Sequence, residues 1–461
     1  MKSVRIGAAQ AFYGDKLKPA VDMAKNGKVD YLCFDCLSEL TLAILQKDRQ
    51  KNPALGYTRD VIPVMKALLP ICLPQGIKLI TNAGGIHPEA AAEAIGKLAQ
   101  ELGLTLQVAT VVGDDVLPHL EEFKSKGLVS TMDGSGTDPF AGLPSMSFAN
   151  VYLGARPILE ALNSGADLVL TGRTTDTAQY LAAAAHGLGW NLDDLDKAAQ
   201  GVILGHLLEC TAQATGGNFS GAWWEVEGLE NLGYPLADVY EDGSFVVGKT
   251  PGTGGLVSVD TLKEQLLYEI HDPANFISPD VLIDMTGIRL EQVGPHRVKV
   301  TGAKGRPGPP TLKVVAGYPA GFVGEGRVVY TWPDALPKAR KFETLLRSAL
   351  EEDGIKIQEF RAEYFGVNAI HEGNAQAANC ELPEVVVRVA VRTGTEREAQ
   401  RIGRHFPPLG IAGPPHLTGL SGLTVARALM GAVSFLVPRE QIEPHVQVRM
   451  QAHQASREPG Q

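Results

Sequence analysis

Short apolar segments alternate with helix-like segments through the first 212 residues, and this alternation restricts the fold more than any single motif. Apolar runs at 4–9, 31–34, 78–81, 106–112 and 167–170 predict strands. Helices are predicted among them at 18–25, 38–45, 88–102, 150–163 and 177–185. Because such alternation is typical of a parallel sheet covered by helices on both faces, we predict a Rossmann-like, doubly wound α/β domain at residues 1–212.

From residue 213 onward the pattern changes to alternating, β-branched segments. Such segments predict strands at 223–226, 237–240, 244–247, 281–284, 297–301, 311–315, 327–331, 355–361 and 384–391. Helices are predicted at 395–402 and 423–435, and the polar end at 451–461 is expected to fray. We therefore predict a second, α+β domain at 213–461 with mostly antiparallel strands, and leave open a further division near residue 354.

Charge and composition exclude several classes of function. The chain of 461 residues carries 42 basic and 52 acidic side chains, a net charge of −10, which argues against nucleic acid as a partner but leaves room for one small anion pocket. It has no signal-like N-terminus and no apolar run of ~18 residues, so we expect a cytoplasmic protein without a membrane contact. Five scattered cysteines fit reduced thiols, and we interpret Cys33 and Cys36 as packing residues rather than as a redox pair or half a metal site.

Polar loops follow all five predicted strands of the first domain. They are QAFYGD at 10–15, DCLSE at 35–39, NAGG at 82–85, GDD at 113–115 and RTTD at 173–176. Because the carboxyl ends of parallel strands meet at one edge of a sheet, these loops are expected to surround one ligand. Asn82, Gly84 and Gly85 would offer it polar and backbone N–H groups, although NAGG is not a dinucleotide fingerprint.

The turn after the fifth strand carries the residues best suited to chemistry. Arg173 could make a two-pronged contact with a phosphate or carboxylate, and Asp176 could orient the ligand or act as an acid or base. The alternative is structural: Thr175 or Asp176 would only cap the following helix, with Arg173 as its ion partner. The pattern alone does not decide between these two interpretations.

Three glycine-rich or loop-like segments are further candidates. The turn TGGNFSG at 215–221 could bind an anion through Gly216, Gly217 and Asn218 in a cleft between the domains, or it could be a tight turn. Lys304 and Arg306 could hold the phosphates of coenzyme A, or they could lie at a solvated hairpin tip. The segment at 131–145 is either a lid or a connector.

Metal and nucleophile signatures are weaker. The sequence contains neither HExxH nor GxSxG, and its histidines are not paired at helical spacing. A carboxylate-bound Mg²⁺ or Mn²⁺ stays open, because Asp15, Asp35, Glu39 and Asp176 would share the edge of the predicted sheet.

Longer stretches of the sequence resemble one known family. They are VDYLCFDCLSELTLA at 29–43, ITNAGGIHP at 80–88, ANVYLGARPILEALNSGADLVLTGRTTDTA at 149–178, TGGNFSG, and two long segments at 251–281 and 289–314. With these the chain resembles the acyclic terpene utilisation protein A (AtuA) family. The resemblance implies a place in the breakdown of branched or isoprenoid acyl-CoA compounds. Many family members carry or accompany a small ferredoxin-like domain, so we expect a separate small partner for a chain that stops at Gln461, and a homo-oligomer.

Two functional hypotheses follow from the residues and the resemblance together. The first is a lyase or hydro-lyase acting on a small branched carboxylate or its CoA thioester, in which Arg173 binds the anion and Asp176 or Glu39 moves a proton. The NAGG and TGGNFSG turns would then hold an oxyanion or phosphate. The second is a non-catalytic subunit that presents a ligand to the small partner. A nucleotide-dependent enzyme is a third hypothesis.

Overall fold

A computed structural model describes residues 2–372, 381–423 and 425–455. Cys380 and the predicted frayed end beyond residue 455 lie outside these residues. By internal contacts the described chain divides into two compact units. Unit 1 comprises residues of 1–141, 147–316 and 433–461, and unit 2 those of 142–146 and 317–432.

The strands are β1 Ser3–Gln10, β2 Tyr31–Phe34, β3 Lys78–Thr81, β4 Leu106–Val112, β5 Ser130–Thr131, β6 Phe148–Val151, β7 Leu168–Thr171, β8 Pro235–Tyr240, β9 Phe245–Lys249, β10 Phe276–Ile277, β11 Val281–Asp284, β12 Arg289–Gly294, β13 Arg297–Thr301, β14 Lys304–Pro307, β15 Thr311–Thr331, β16 Ile357–Phe365, β17 Glu384–Thr393, β18 Leu417–Ser421, β19 Arg427–Pro438 and β20 Gln447–His453. The α-helices are α1 Leu17–Asn26, α2 Glu39–Lys51, α3 Val61–Gln75, α4 Pro88–Glu101, α5 Leu120–Ser125, α6 Arg156–Asn163, α7 Ala178–Leu188, α8 Leu195–Leu208, α9 Val259–Leu267, α10 Ala335–Glu352, α11 Glu396–Ile402 and α12 Phe406–Ala412.

The main sheet of unit 1 is mixed. Its ten strands run in the order β12-β13-β9-β8-β1-β2-β3-β7-β4-β20. The central strands β1, β2, β3, β7 and β4 are parallel neighbours. Antiparallel strands extend the sheet beyond β1 and beyond β4. The predicted mixture of helices and strands is therefore confirmed, with parallel pairs at the centre of a mixed sheet. A doubly wound, Rossmann-like arrangement stays a prediction.

The antiparallel strands β8, β9, β13 and β12 come from residues 235–301, yet they belong to the same sheet as β1. A boundary at residue 212 thus falls inside unit 1. Internal contacts do not test whether residues 1–212 and 213–461 fold independently, so these two domains stay predictions.

The central strands are mostly apolar and buried, because both faces of the sheet are covered. Side chains such as Leu32, Phe34 and Leu79 pack in one hydrophobic cluster with α1, α3 and α4. The helix α3 was not predicted, because Pro70 and Pro74 interrupt its sequence pattern. A second set of packed helices is formed by α6, α7 and α8, and α7 contacts β1 and β2.

Unit 2 has the chain order β15, α10, β16, β17, α11 and α12, β18. The strand β15 pairs with β17 and with β18 through the same residues, so these two strands flank it, and β16 pairs with β17. All three pairings are antiparallel. This order of elements and strands is the split βαβ arrangement of ferredoxin-like folds. Its core packs α10 against buried side chains such as Val387 and Val389.

Four local predictions were wrong. The predicted helix at 150–163 is the strand β6 followed by a helix that begins only at Arg156, because Pro157 is accommodated in the first turn. The predicted strand at 223–226 is a short 3₁₀-helix, Trp223–Glu225. The strands predicted at 311–315 and 327–331 are both present, but the predicted break between them is absent, because one strand, β15, covers both. The predicted helix at 423–435 lies mainly in the strand β19, where Gly431 leaves room for the ring of Tyr318.

Candidate active site

Polar groups at the ends of the parallel strands contact one another. Asn82, after β3, donates from its side chain to Asp35, after β2, and accepts a 2.6 Å hydrogen bond from the backbone N–H of Cys36. The backbone N–H of Arg173, after β7, donates to Asp114 Oδ2, after β4, at 2.8 Å. The strand ends therefore meet at one edge, as a parallel sheet requires.

Arg173 is buried in this cluster with only 3% of its side chain exposed. One terminal nitrogen donates to the backbone carbonyl of Leu37, and the other contacts Asp176 Oδ1 at 2.8 Å. Burial would lower the pKa of Arg173, but the charges of Asp176, Tyr152 and other acidic groups raise it, so the guanidinium stays protonated. Because both terminal nitrogens are engaged within the protein, Arg173 positions Asp176 in this structure rather than presenting a free two-pronged contact.

Glu39 belongs to the same cluster. It accepts a hydrogen bond from the Tyr152 hydroxyl and lies 3.3 Å from Lys313 Nζ. Burial would raise the pKa of Glu39, but the Tyr152 hydrogen bond and the Lys313 and Arg173 charges lower it to about 2. Cationic groups of Arg173 and Lys313 lie 4.1 Å and 4.5 Å from the centre of the Tyr152 ring. Glu39 is thus a permanently charged structural partner of these residues at neutral pH.

A cavity of about 360 Å³ in unit 1 lies beside this cluster. Its polar lining comprises Tyr152, Thr175, Asp176, Thr177, His206, Glu209, Glu269, Ser278, Thr311 and Lys313. Its apolar lining comprises Met132, Ile270, Phe276, Ile277, Pro279, Pro309, Leu312 and Leu436. The volume and the mixture of an apolar wall with a few polar groups are typical of small-molecule sites.

Glu209 and His206 are the buried titratable groups of this cavity that sequence reasoning missed. They stand three residues apart at the end of α8, a spacing that places both on one face of a helix and could have drawn attention to them. Burial, and then the Asp176 and Asp35 charges, raise the pKa of Glu209 well above its usual value. Burial lowers the pKa of His206 to about 4. Burial therefore favours the protonated form of the Glu209 carboxyl group, whereas His206 is neutral at neutral pH.

Contacts around Glu209 fix its carboxyl group. Its oxygens accept from the Cys210 thiol at 3.0 and 3.1 Å and lie 3.5 Å from the side-chain amide of Gln265. His206 Nε2 lies 3.3 Å from the backbone carbonyl oxygen of Leu266. Gln265 and Leu266 belong to α9, which packs on α8. The helix α9 thus holds the acidic end of α8 at the cavity.

The NAGG turn supports the site without lining the cavity. Asn82 is fully buried between Asp35 and Cys36, and Gly85 N–H closes the turn by donating to Asn82 O at 3.1 Å. Gly84 approaches the backbone of β7 so closely that an added Cβ would lie 2.5 Å from Thr171 O. The glycine here allows two loops at the strand ends to pack together.

The other predicted binding residues lie away from the cavity lining. Gly217 and Asn218 line a separate small cavity of about 50 Å³, and the N–H groups of Gly216 and Gly217 close the preceding 3₁₀-helix. Lys304 pairs with Asp196 at 2.7 Å, and Arg306 contacts Asn275 at 2.7 Å. Lys304 and Arg306 lie in the strand β14. Their roles toward a ligand stay predictions.

The structural alternative for the turn after β7 holds only in part. The helix α7 begins at Ala178, and its N-cap residue Thr177 makes no side-chain capping bond. Neither Thr175 nor Asp176 is therefore the cap, although Arg173 is the ion partner of Asp176. Thr175 Oγ1 is buried at the cavity and, among the described residues, has no hydrogen-bond partner.

The described residues contain no group of three or more His, Cys, Asp or Glu side chains placed to hold a metal ion. Of the four carboxylates predicted to share the edge, Asp15 is engaged with the Tyr234 hydroxyl at 2.6 Å. Cys33 and Cys36 are buried, unpaired thiols, which agrees with a packing role. Within the same residues, none of the helices has both the length and the apolar character to cross a membrane.

Fold and cavity together define a mixed α/β protein with an acid-lined, half-apolar pocket beside the ends of parallel strands. A family model described as acyclic terpene utilisation family protein AtuA matches residues 4–448. The chain belongs to this family, as the sequence resemblance predicted, and membership implies a role in acyclic terpene utilisation. The curated proteins searched include no match to it.

Proposed function

We propose that this chain is a lyase or hydro-lyase that acts on a branched carboxylate or its CoA thioester. The observation that carries the proposal is the pair Asp176 and Glu209 in one cavity. Asp176 is ion-paired with Arg173, whereas burial raises the pKa of Glu209 and favours its protonated form. Two carboxyl groups held in different protonation states can serve as a base and an acid.

Loss of water from a 3-hydroxyacyl thioester illustrates the chemistry. Asp176 takes the proton from the carbon next to the thioester carbonyl, the C–O bond to the hydroxyl group breaks, and Glu209 gives its proton to the leaving oxygen. A C=C bond and one water form. The Thr175 hydroxyl, which is buried and has no partner among the described residues, would turn toward the carbonyl oxygen and donate to it as negative charge develops there.

The same pair supports cleavage of a C–C bond. Asp176 would take the proton of a tertiary hydroxyl group, and a ketone C=O bond would form there as the bond to the neighbouring CH₂ breaks. That CH₂ lies next to the thioester carbonyl, so the electron pair is held as an enolate until Glu209 protonates the carbon. Apolar groups of Phe276, Leu312 and Leu436 offer a surface for a branched hydrocarbon chain. Coenzyme A enters this proposal as part of the substrate.

The test is a mass-spectrometric turnover assay with the purified full chain. Branched 3-hydroxyacyl-CoA and enoyl-CoA esters are incubated with and without Mg²⁺ or Mn²⁺. Gain or loss of one water, or release of a two-carbon unit, is expected, and Asp176→Asn should lower the rate at least ~100-fold. Lys97→Met is a control, because Lys97 is an exposed residue paired with Glu93 and does not line the cavity. Absence of turnover in every mixture would contradict the enzyme and favour a ligand-presenting role, for which a small ferredoxin-like partner would be added next.

A further inference from the structure

Lys313 is held at the cavity by backbone pairing rather than by a flexible loop. It lies in the strand β15, and its backbone carbonyl oxygen accepts a 2.9 Å hydrogen bond from the N–H of Tyr152. The neighbouring Leu312 is buried, whereas 36% of the Lys313 side chain is exposed. Its backbone is therefore fixed relative to Tyr152 before any ligand binds.

Lys313 supplies the positive charge of the cavity lining. Among the described lining residues it is the sole lysine or arginine, and it shares the lining with the acidic residues Asp176, Glu209 and Glu269. His206, with a pKa of about 4, adds no charge at neutral pH. Arg173 lies behind the lining and is engaged with Asp176. An anionic group inside the cavity therefore has one cation to bind.

The Lys313 ammonium group has donor capacity to spare. Its contacts are Glu39 Oε1 at 3.3 Å and the face of the Tyr152 ring at 4.5 Å. An ammonium group carries three donors, and Glu39 uses one. Glu39 also accepts from the Tyr152 hydroxyl, so it keeps a partner when Lys313 turns toward a ligand.

We propose that Lys313 binds a free carboxylate on the acyl chain, which makes the substrate a branched acyl thioester with a second, anionic end. The proposal rests on the proposed function for the use of this cavity. The apolar wall receives the branch, Lys313 receives the carboxylate, and Asp176 and Glu209 face the reacting carbons. Lys313 is then the residue that selects between charged and uncharged acyl ends.

The probes are 3-methylglutaryl-CoA and 3-methylpentanoyl-CoA, which differ only in a terminal carboxylate against a methyl group. Neither carries a hydroxyl leaving group, so calorimetry on the full chain measures binding alone. The natural chain should bind the carboxylate form at least about 10-fold more tightly, as expected for a charge-assisted contact. Lys313→Met should reduce this preference to within about twofold. Lys313→Arg should keep much of it, and Lys97→Met, at an exposed residue outside the cavity lining, should not change it.

Equal binding of both esters by the natural chain, binding of neither, or a preference that survives in Lys313→Met would overturn the proposal. The comparison in the natural chain needs no variant, so a poorly folding Lys313→Met still leaves a decisive result. Preference for the carboxylate ester without turnover of any hydroxyacyl ester would refute the lyase function but support the role of Lys313. Turnover without preference would do the reverse.

Discussion

At the level of single residues, the carboxyl groups of Asp176 and Glu209 have different surroundings in the same cavity. Asp176 is 39% exposed and contacts the Arg173 guanidinium, whereas Glu209 is 7% exposed and has a cysteine thiol and a glutamine amide as neighbours. The carboxyl group of Asp176 thus contacts a cation, whereas that of Glu209 is buried. This difference supports the proposed roles of Asp176 as base and Glu209 as acid.

Glu209→Gln is expected to lower kcat at least ~100-fold, because an amide cannot give a proton to the leaving group. In the natural chain, activity should fall as the pH rises through the raised pKa of Glu209, since the acid then loses its proton. The variant should lack this pH dependence. Steady-state kinetics from pH 5 to 9 measure both effects.

Glu264→Gln is the matched control for this experiment. Glu264 binds Ser220 and does not line the cavity, so kcat should stay unchanged. A Glu209→Gln protein with the natural kcat would remove Glu209 from the proposed mechanism.

Asp114 makes stability depend on pH. Its burial raises its pKa from 3.8 to about 7, although the Arg173 N–H and the Asn150 side chain donate to it. The folded state therefore binds the proton more tightly than the unfolded state. The stability that this group contributes is fully present below about pH 4 and is lost as the pH rises to about 7.

Asp114→Asn should flatten the pH dependence of stability, because Asn carries no proton to lose. The rise in pKa from 3.8 to about 7 corresponds to roughly 4 kcal/mol as an upper limit. Both donors contact the same oxygen, Oδ2, so an amide oxygen can keep them. Urea unfolding from pH 4 to 8 measures the difference from the natural chain, with Asp193→Asn, an exposed site, as control. Parallel curves would show that Asp114 does not titrate in this range.

At the level of elements, the crossing of α8 over the start of α7 sets the distance between the two acids. Gly205 precedes Glu209 by four residues. It lies against Thr177, the residue that follows Asp176. A Cβ added at Gly205 would lie 2.7 Å from Thr177 Cα, a backbone atom that cannot move alone. At Gly201 an added Cβ would instead meet the end of the Leu181 side chain, which can turn away.

Gly205→Ala should therefore destabilise the protein by about 1–3 kcal/mol, in spite of the better helix propensity of Ala. Turnover should fall as well, because Asp176 and Glu209 move apart. Gly201→Ala is the matched control in the same helix and should cost less than about 1 kcal/mol. Chemical unfolding and turnover of both variants decide the matter, and equal losses in the two would show that the crossing is not tight at Gly205.

At the level of the whole molecule, the main sheet joins segments far apart in the chain. Its parallel centre comes from residues before 172, one flank from 235–301, and the other edge from β20. All seven residues of β20 pair with β4, and the His453 ring lies against Gly96 of α4. The strand β20 therefore forms the edge of the main sheet next to β4.

A chain ended at residue 446 should lose stability on the order of 5 kcal/mol, since about seven strand contacts and hydrogen bonds disappear and the edge of β4 becomes exposed. A chain ended at residue 455 keeps β20 and should match the full chain. Urea unfolding and light scattering compare the two. Equal stability of both shortened chains would mean that β20 adds nothing to the sheet.

The sequence by itself determined the parallel centre of the sheet and the polar character of its edge. Strands β2, β3 and β4 were predicted with their observed ends. A strand buried on both faces is mostly apolar, so polar residues concentrate in the loop that follows it. The same rule brought Arg173, Asp176 and Glu39 into one neighbourhood before any contact was known.

Tertiary structure alone decided which groups surround the cavity. Glu209 lies at the end of a helix, and Lys313 on a strand more than 100 residues further along the chain, in patterns that equally suit solvent-facing residues. The strand β19 likewise has a helix-like sequence, but pairing in the sheet outweighs its local preference. A local sequence pattern indicates which face of a segment is buried. Whether a charged side chain is buried, and which groups surround it, depends on the distant segments that pack against it.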